Sequence, residues 1–243
     1  MNLDRIIAVR TDKTVYRDGD RCMKVFVGNQ RPSEILKEAY LQTAFAEAGL
    51  PVPQIFEVTK VNEKWTVVSE YIKGRTLDRL ISENPEKRYE YTEILVSLQK
   101  RIHAVRSLSV RSQNAMIEGV LKSEIFDEKQ KKIILKSSKS LSFDNSLCHG
   151  NLIFENIVIK PDGAAVILDC RHAFSGNADF DAALTYSGLY MQSIDAANDY
   201  LAAYCTGAEE KFSAVKGLVP SAAAVRMKHT VIGNRNILCS LIK

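Results

Sequence analysis

Hydrophobic and polar positions alternate with a period of two through the first third of the chain, then shift to a period near 3.6 beyond Tyr71. The alternation predicts strands over Ile6–Val9, Thr14–Arg17 and Arg21–Val27, with Asp18-Gly19 as a hairpin turn between the last two. A single helical stretch interrupts them. Ser33 is positioned to cap it, Ile35, Leu36, Ala39, Tyr40 and Phe45 form its apolar face, and Gly49 ends it. Pro51 and Pro53 forbid continuation. Two further strands are expected over Ile55–Lys60 and Trp65–Tyr71, turning through Asn62-Glu63.

After Tyr71 the helical period predicts a short helix from a Thr76 cap through Ile81. A long amphipathic helix follows over Pro85–Val105, with Tyr91, Ile94, Leu95, Leu98 and Ile102 on one stripe. Residues 107–143 are polar and basic and read as partly helical. Two short strands, Ile157–Lys160 and Ala164–Leu168, flank the turn Pro161-Asp162-Gly163, and the chain turns helical again after Asp181. The pattern therefore predicts an α+β fold class, with a small antiparallel sheet and one helix over residues 1–71 and a mainly helical part over 72–243.

Composition narrows this only a little. The chain has 243 residues, 46% hydrophobic and 26% charged, with a formal charge of +4. That charge suits an anionic ligand, but no basic tract fits nucleic acid. Five dispersed cysteines lack CxxC spacing and read as thiols of a reducing compartment. No window approaches a membrane span and the N-terminal stretch lacks an apolar signal core, so a cytoplasmic location is expected.

The chemistry concentrates in Cys148–Leu168 and the Asp169 that follows. This stretch reads H-G-N-L-x-x-x-N, hairpin, Asp. A lone Asn or Asp at a turn is ordinary, whereas the compound pattern is specific. Phosphoryl transfer needs metal held by oxygen ligands, a cation on the nucleotide phosphates and a group orienting the acceptor hydroxyl. Asn156 and Asp169 suit magnesium if the hairpin brings their ends together. Lys24, on the third strand, is the candidate cation. Glu38 reads equally as its partner or as a solvated helix-face residue.

These residues resemble the aminoglycoside phosphotransferase and choline-kinase-like group of small-molecule kinases, and the resemblance implies a bilobal protein-kinase-like fold with residues 1–71 as the N-lobe and 72–243 as the C-lobe. The resemblance runs through Lys24, Glu38, the hinge-like Ser69–Leu77, Leu98 to His103-Ala104, His149-Gly150-Asn151-Leu152 with Asn156, Ile167-Leu168-Asp169 and Gly176–Ala183. It implies ATP or another nucleoside triphosphate, magnesium, and a small-molecule acceptor bearing a hydroxyl. Lys24 would contact the phosphates, held by Glu38. Asn156 and Asp169 would bind magnesium, and Glu70, Tyr71 and Ile72 would offer backbone hydrogen bonds to adenine. The acceptor would be met by residues 107–143 and by the helices after Asp181.

Asp181 would anchor the catalytic loop or cap the next helix, and His103, His172 and His229 are read as structural or exposed. Three positions depart from the family pattern. The phosphate-covering turn Arg10–Thr14 has no glycine, Ala178 replaces a proline, and Asn151 replaces the aspartate base. An amide cannot take a proton, and a general base is worth about 10²–10⁴ in rate. Two readings follow: a slow kinase in which Asn151 orients the acceptor, and a catalytically impaired pseudokinase that binds nucleotide.

Overall fold

The computed structural model describes residues 5–106, 111–139, 141–142, 144–206, 208–230 and 234–243. In chain order these form strands β1 (Arg5–Val9), β2 (Lys13–Asp18) and β3 (Arg21–Phe26), helix α1 (Pro32–Glu47), and strands β4 (Ile55–Val61), β5 (Lys64–Glu70) and β6 (Arg75–Thr76). Helices α2 (Leu77–Glu83), α3 (Arg88–Ala104), α4 (Gln113–Leu121) and α5 (Glu128–Ser138) follow. Then come β7 (Ser146–Cys148), the hairpin β8 (Ile157–Ile159) and β9 (Ala165–Ile167), β10 (Phe174–Gly176), and helices α6 (Ala178–Tyr190), α7 (Ile194–Tyr204), α8 (Glu209–Met227) and α9 (Arg235–Cys239). The α+β class is as expected, and no described helix is long and apolar enough to cross a membrane.

The chain divides into two compact units, Met1–Thr76 with Asn156–Arg171, and Leu77–Glu155 with His172–Lys243. The first holds an antiparallel five-stranded sheet in the order β1-β2-β3-β5-β4. Asn62 and Glu63 take φ values of 49° and 59°, the left-handed pair of a tight two-residue hairpin between β4 and β5. One face of the sheet buries Phe26 and Val67 against Ile35 and Ala39 of α1, with Ile55, Val58 and Trp65 at the margin.

Helix α1 departs from the expected pattern at its start. Arg31 is its N-cap, with no side-chain cap, and Pro32 occupies the first turn, where its missing N–H costs nothing. Leu36 and Tyr40, read as part of the apolar face, are exposed, and Glu38 and Gln42 are buried instead. The inward stripe thus carries polar residues, and Glu38 is the one that matters below. The β8–β9 hairpin belongs to this unit too. It pairs with β6, and Ile167 N–H donates to Pro51 C=O at 2.7 Å. Gly74, just before β6, is required by close approach: a Cβ there would lie 2.3 Å from Ile159 C=O.

The second unit is built around α6. Every residue from Phe180 to Leu189 is buried, and α7 and α8 pack against it. Both helices bury small residues, Ala182, Ala183 and Gly188 on α6 and Ala222–Ala224 on α8, and a Cβ at Gly188 would lie 2.7 Å from the Arg226 guanidinium of α8. Pro220 interrupts α8, and the break is filled by Ser137 of α5, whose Oγ donates to Gly217 C=O at 2.7 Å and accepts from Ser221 N–H at 3.3 Å. The long helix expected from Pro85 begins instead as a short 3₁₀ turn over Pro85–Lys87, with α3 proper starting at Arg88. Likewise α6 starts at Ala178 rather than after Asp181, because Asn177 caps it by accepting from Phe180 N–H at 2.9 Å.

Candidate functional site

In the first unit the predicted cation and its partner meet. Lys24 Nζ donates to Glu38 Oε1 at 2.8 Å. A second lysine joins them: Lys13 Nζ lies 2.8 Å from Glu38 Oε1 and 2.7 Å from Oε2, so one carboxylate holds two ammonium groups. The glutamate and Lys13 side chains are each 5% exposed, and Lys24 is 14% exposed. Burial disfavours the charge on Lys24, but the carboxylates of Glu38 and Asp169 outweigh it and hold its pKa above the ordinary lysine value. Burial and the neighbouring Lys24 push Lys13 the other way, below that value. Burial likewise works against the ionised Glu38, and the two lysines overcome it and lower its pKa.

The hairpin brings the two proposed metal ligands to one end. Leu168 N–H donates to Asn156 C=O at 2.8 Å, and Asp169 is the next residue. Its φ of 58° is in the left-handed region, which a short polar residue tolerates better than a branched one and which often marks functional positions. Arg171, two residues on, reaches back to it with Nε 3.4 Å from Asp169 Oδ1. The same guanidinium hydrogen-bonds Asp12, in the turn between β1 and β2. Burial works against the Arg171 charge, but Asp169 and Asp12 raise its pKa above the usual arginine value.

The hinge segment is partly committed. Glu70 N–H donates to Gln54 C=O at 2.8 Å and Tyr71 N–H to Asp20 C=O at 2.9 Å, while the Arg17 guanidinium sits 4.2 Å from the centroid of the Tyr71 ring. Ile72 follows directly.

In the second unit the His149-Gly150-Asn151 loop is held from below by a fully buried carboxylate. Asp181 accepts from Gly150 N–H at 2.8 Å and His149 N–H at 3.2 Å, with His103 Nε2 at 2.9 Å and Gln99 Nε2 at 3.2 Å. Burial alone would raise its pKa, but the His103 and Gly150 hydrogen bonds prevail and lower it. Tyr200 OH extends the network by donating to Gln99 Oε1 at 2.6 Å. Gly150 has φ 78°, and a Cβ there would fall 2.4 Å from His172 C=O. Only glycine fits this turn.

Ligand atoms of His103, Cys148 and Asp181 lie within 4.8 Å of one another. Since four donors already converge on Asp181, hydrogen bonding accounts for the cluster. His103 is thus structural, while the His172 and His229 rings meet at a tilt of 59° with centroids 5.2 Å apart.

Asn151 is also met by an unexpected residue. Arg226, near the end of α8, donates from Nη1 to Asn151 Oδ1 at 2.8 Å and from Nη2 to Leu184 C=O at 2.9 Å. No carboxylate among the described residues pairs directly with it, and desolvation lowers its pKa to about 10.

Sequence reading missed four of these residues: Lys13, Asp12, Arg171 and Arg226. Lys13 left a faint signal, being in phase with Val15 on the strand face that Lys24 shares. The partners of Arg171 and Arg226 are too distant along the chain to leave any.

The arrangement fits magnesium in its donor set, since Asn156 and Asp169 offer the hard oxygens that ion prefers, in the small number it needs while retaining water and phosphate oxygens.

Solved structures share the fold. Aminoglycoside phosphotransferase APH(4)-Ia, in a ternary complex with AMP-PNP and hygromycin B, superposes with a TM-score of 0.74 at 11% identity, covering 98% of this chain and 92% of that one. Choline kinase of Streptococcus pneumoniae gives 0.63 at 15% identity over 100% and 93%. Aminoglycoside-3'-phosphotransferase of type VIII gives 0.62 at 20% identity over 90% and 92%. Compared by sequence with curated proteins, the chain matches none. The family model for phosphotransferase enzymes matches residues 6–215, and the chain belongs to the phosphotransferase enzyme family.

Proposed function

We propose that the protein is an ATP-dependent kinase that phosphorylates a hydroxyl of a small molecule, such as a sugar, an amino alcohol or an aminoglycoside-like compound. The observation that carries this reading is the Lys24–Glu38 pair under the electrostatic influence of Asp169 within one unit. A lysine buried for packing alone would lose charge. This one is held charged by two carboxylates, as a phosphate-binding cation must be.

Lys24 binds the nucleotide phosphates and Glu38 fixes its ammonium. Asn156 and Asp169 hold magnesium, which when bound neutralises phosphate charge. With the Glu70 and Tyr71 amides already bonded, Ile72 is the segment's backbone donor to adenine. In the loop, Asn151 orients the acceptor hydroxyl through its amide. Phosphoryl transfer proceeds through a loose transition state, so positioning and charge neutralisation carry most of the catalysis and a missing base slows the reaction without abolishing it.

One observation favours the second reading, a catalytically impaired, nucleotide-binding pseudokinase. The Asn151 oxygen that would accept the substrate proton's hydrogen bond already accepts one from Arg226.

Calorimetry with ATP, with and without magnesium, tests the first step. Magnesium-enhanced binding is expected, followed by ADP release with one of a panel of hydroxylated acceptors. Binding without turnover on any acceptor selects the pseudokinase, and absence of binding removes both readings.

A further inference from the structure

We propose that Lys13 is a second phosphate-contacting residue, forming with Lys24 an ammonium pair that grips the nucleotide's polyphosphate from the face of the sheet beneath α1. This inference rests on the nucleotide reading above.

The sheet register places the two lysines together. Val15 of β2 is opposite Lys24 of β3, and Lys13 is opposite Phe26, so Lys13 is diagonal to Lys24 on the same face. Glu38, projecting from α1 over that face, binds both within 2.7–2.8 Å. One lysine would neutralise Glu38. Burying a second ammonium costs several kcal/mol in desolvation that a single shared carboxylate does not fully offset. The Phe26 ring, 5.1 Å from Lys13 Nζ, offsets some of it through its π face. Asp169, proposed above to hold magnesium, acts electrostatically on both ammonium groups, so the lysine pair lies beside the proposed phosphate site.

The neighbouring turn explains why such a lysine would be useful. Kinase folds commonly cover the phosphates with a glycine-rich turn whose backbone amides point at them. Here Arg10–Thr14 contains no glycine. Its geometry is also spent on itself: Arg10 N–H donates to Lys13 C=O at 2.8 Å, and Asp12 C=O accepts from Val27 N–H at 3.0 Å. Lys13 ends this turn and opens β2, so its side-chain ammonium stands beside a turn that has no glycine. Burial first, and then the neighbouring Lys24, hold its pKa below the ordinary lysine value, and an incoming polyphosphate would favour its charged form.

The test compares AMP, ADP and ATP binding to the full chain and to Lys13→Gln and Lys13→Met. Lys13→Gln keeps a hydrogen-bond donor toward Glu38 while removing the charge, and covers the case in which Lys13→Met fails to fold. The expected result is a loss of about ten- to thirtyfold in ATP and ADP affinity and less than about threefold for AMP, with Lys13→Arg recovering most of the loss. A structural lysine would lower affinity for all three nucleotides by one factor. That outcome, or unchanged ATP affinity in Lys13→Gln, overturns the proposal. If the unaltered chain binds ATP while the variants match it, this inference alone fails. If the unaltered chain binds no adenine nucleotide, the nucleotide reading fails and the inference with it.

Discussion

The two charged centres of the molecule are built on opposite principles. In the first unit, Glu38, Asp169 and Asp12 face Lys13, Lys24 and Arg171, three carboxylates against three cations, and the contacts are ion on ion with several side chains partly open to solvent. In the second unit, Asp181 is fully buried and held chiefly by neutral donors, two of them backbone amides. A cluster of paired ions can exchange partners, because an incoming phosphate replaces a carboxylate and an incoming metal replaces a guanidinium with little net change in charge. A buried carboxylate satisfied by fixed N–H groups has no such replacement. The first centre is therefore suited to binding, and the second to holding a loop in shape.

Substituting each aspartate should separate them most sharply. Asp181→Asn replaces one acceptor oxygen with an NH2 group in a fully buried site, setting it against the Gly150 N–H at the Oδ1 position or against three donors at the Oδ2 position, and a loss of about 3–5 kcal/mol in unfolding free energy is expected. Asp169→Asn removes one charge from a partly exposed cluster and should cost less than about 1 kcal/mol while abolishing nucleotide turnover. Urea denaturation of both variants measures the contrast. Equal destabilisation would mean that the ionic cluster is as structural as the Asp181 network.

Acid sharpens the same contrast. Asp181 is held below its unfolded pKa of about 3.9, so the folded chain binds fewer protons than the unfolded one as pH approaches that value. Its contribution is fully present above about pH 4 and is lost as pH falls through the lower folded value. The gap between the unaltered chain and Asp181→Asn should hence be constant from pH 7 to about pH 5 and narrow below about pH 4. A gap that widens in acid would show that the protonated form is the one held.

The two centres also differ in how far they were legible in the sequence. Lys24, Asn156, Asp169 and the loop at His149–Asn151 stand out because residue type and spacing are both constrained by the chemistry. The hairpins at Asp18-Gly19 and Asn62-Glu63 were readable for a related reason: turn residues carry their own backbone preference. Glu38 was ambiguous, since helical phase placed Leu36 and Tyr40 inward on hydrophobicity, whereas the helix turns Glu38 and Gln42 toward the sheet to meet two lysines and Pro53 C=O. Polar burial of this kind depends on a partner that periodicity does not record. The Arg171–Asp12 and Arg226–Asn151 contacts join residues separated by 159 and 75 positions, and nothing local marks either end.

The smallest expected effect bears on whether the second centre can be made catalytic. Arg226 is a desolvated guanidinium whose partners at Nη1 and Nη2 are both neutral oxygens, one of them on Asn151. Asn151→Asp would place a carboxylate at 2.8 Å from it without changing shape. The pair should stabilise the protein by about 1 kcal/mol and raise the melting temperature by about 2–4 °C. The same ion pair would lower the new carboxylate's pKa and weaken it as a base, so the gain in rate should stay near the lower end of the 10²–10⁴ range for general-base assistance, at about a hundredfold or less. Asn151→Asp combined with Arg226→Gln should forfeit the stabilisation and exceed the single variant in rate, because the carboxylate then keeps an ordinary basicity. Melting curves and initial rates on the three proteins decide it. If Asn151→Asp lowers the melting temperature, the guanidinium does not stabilise a carboxylate at this position.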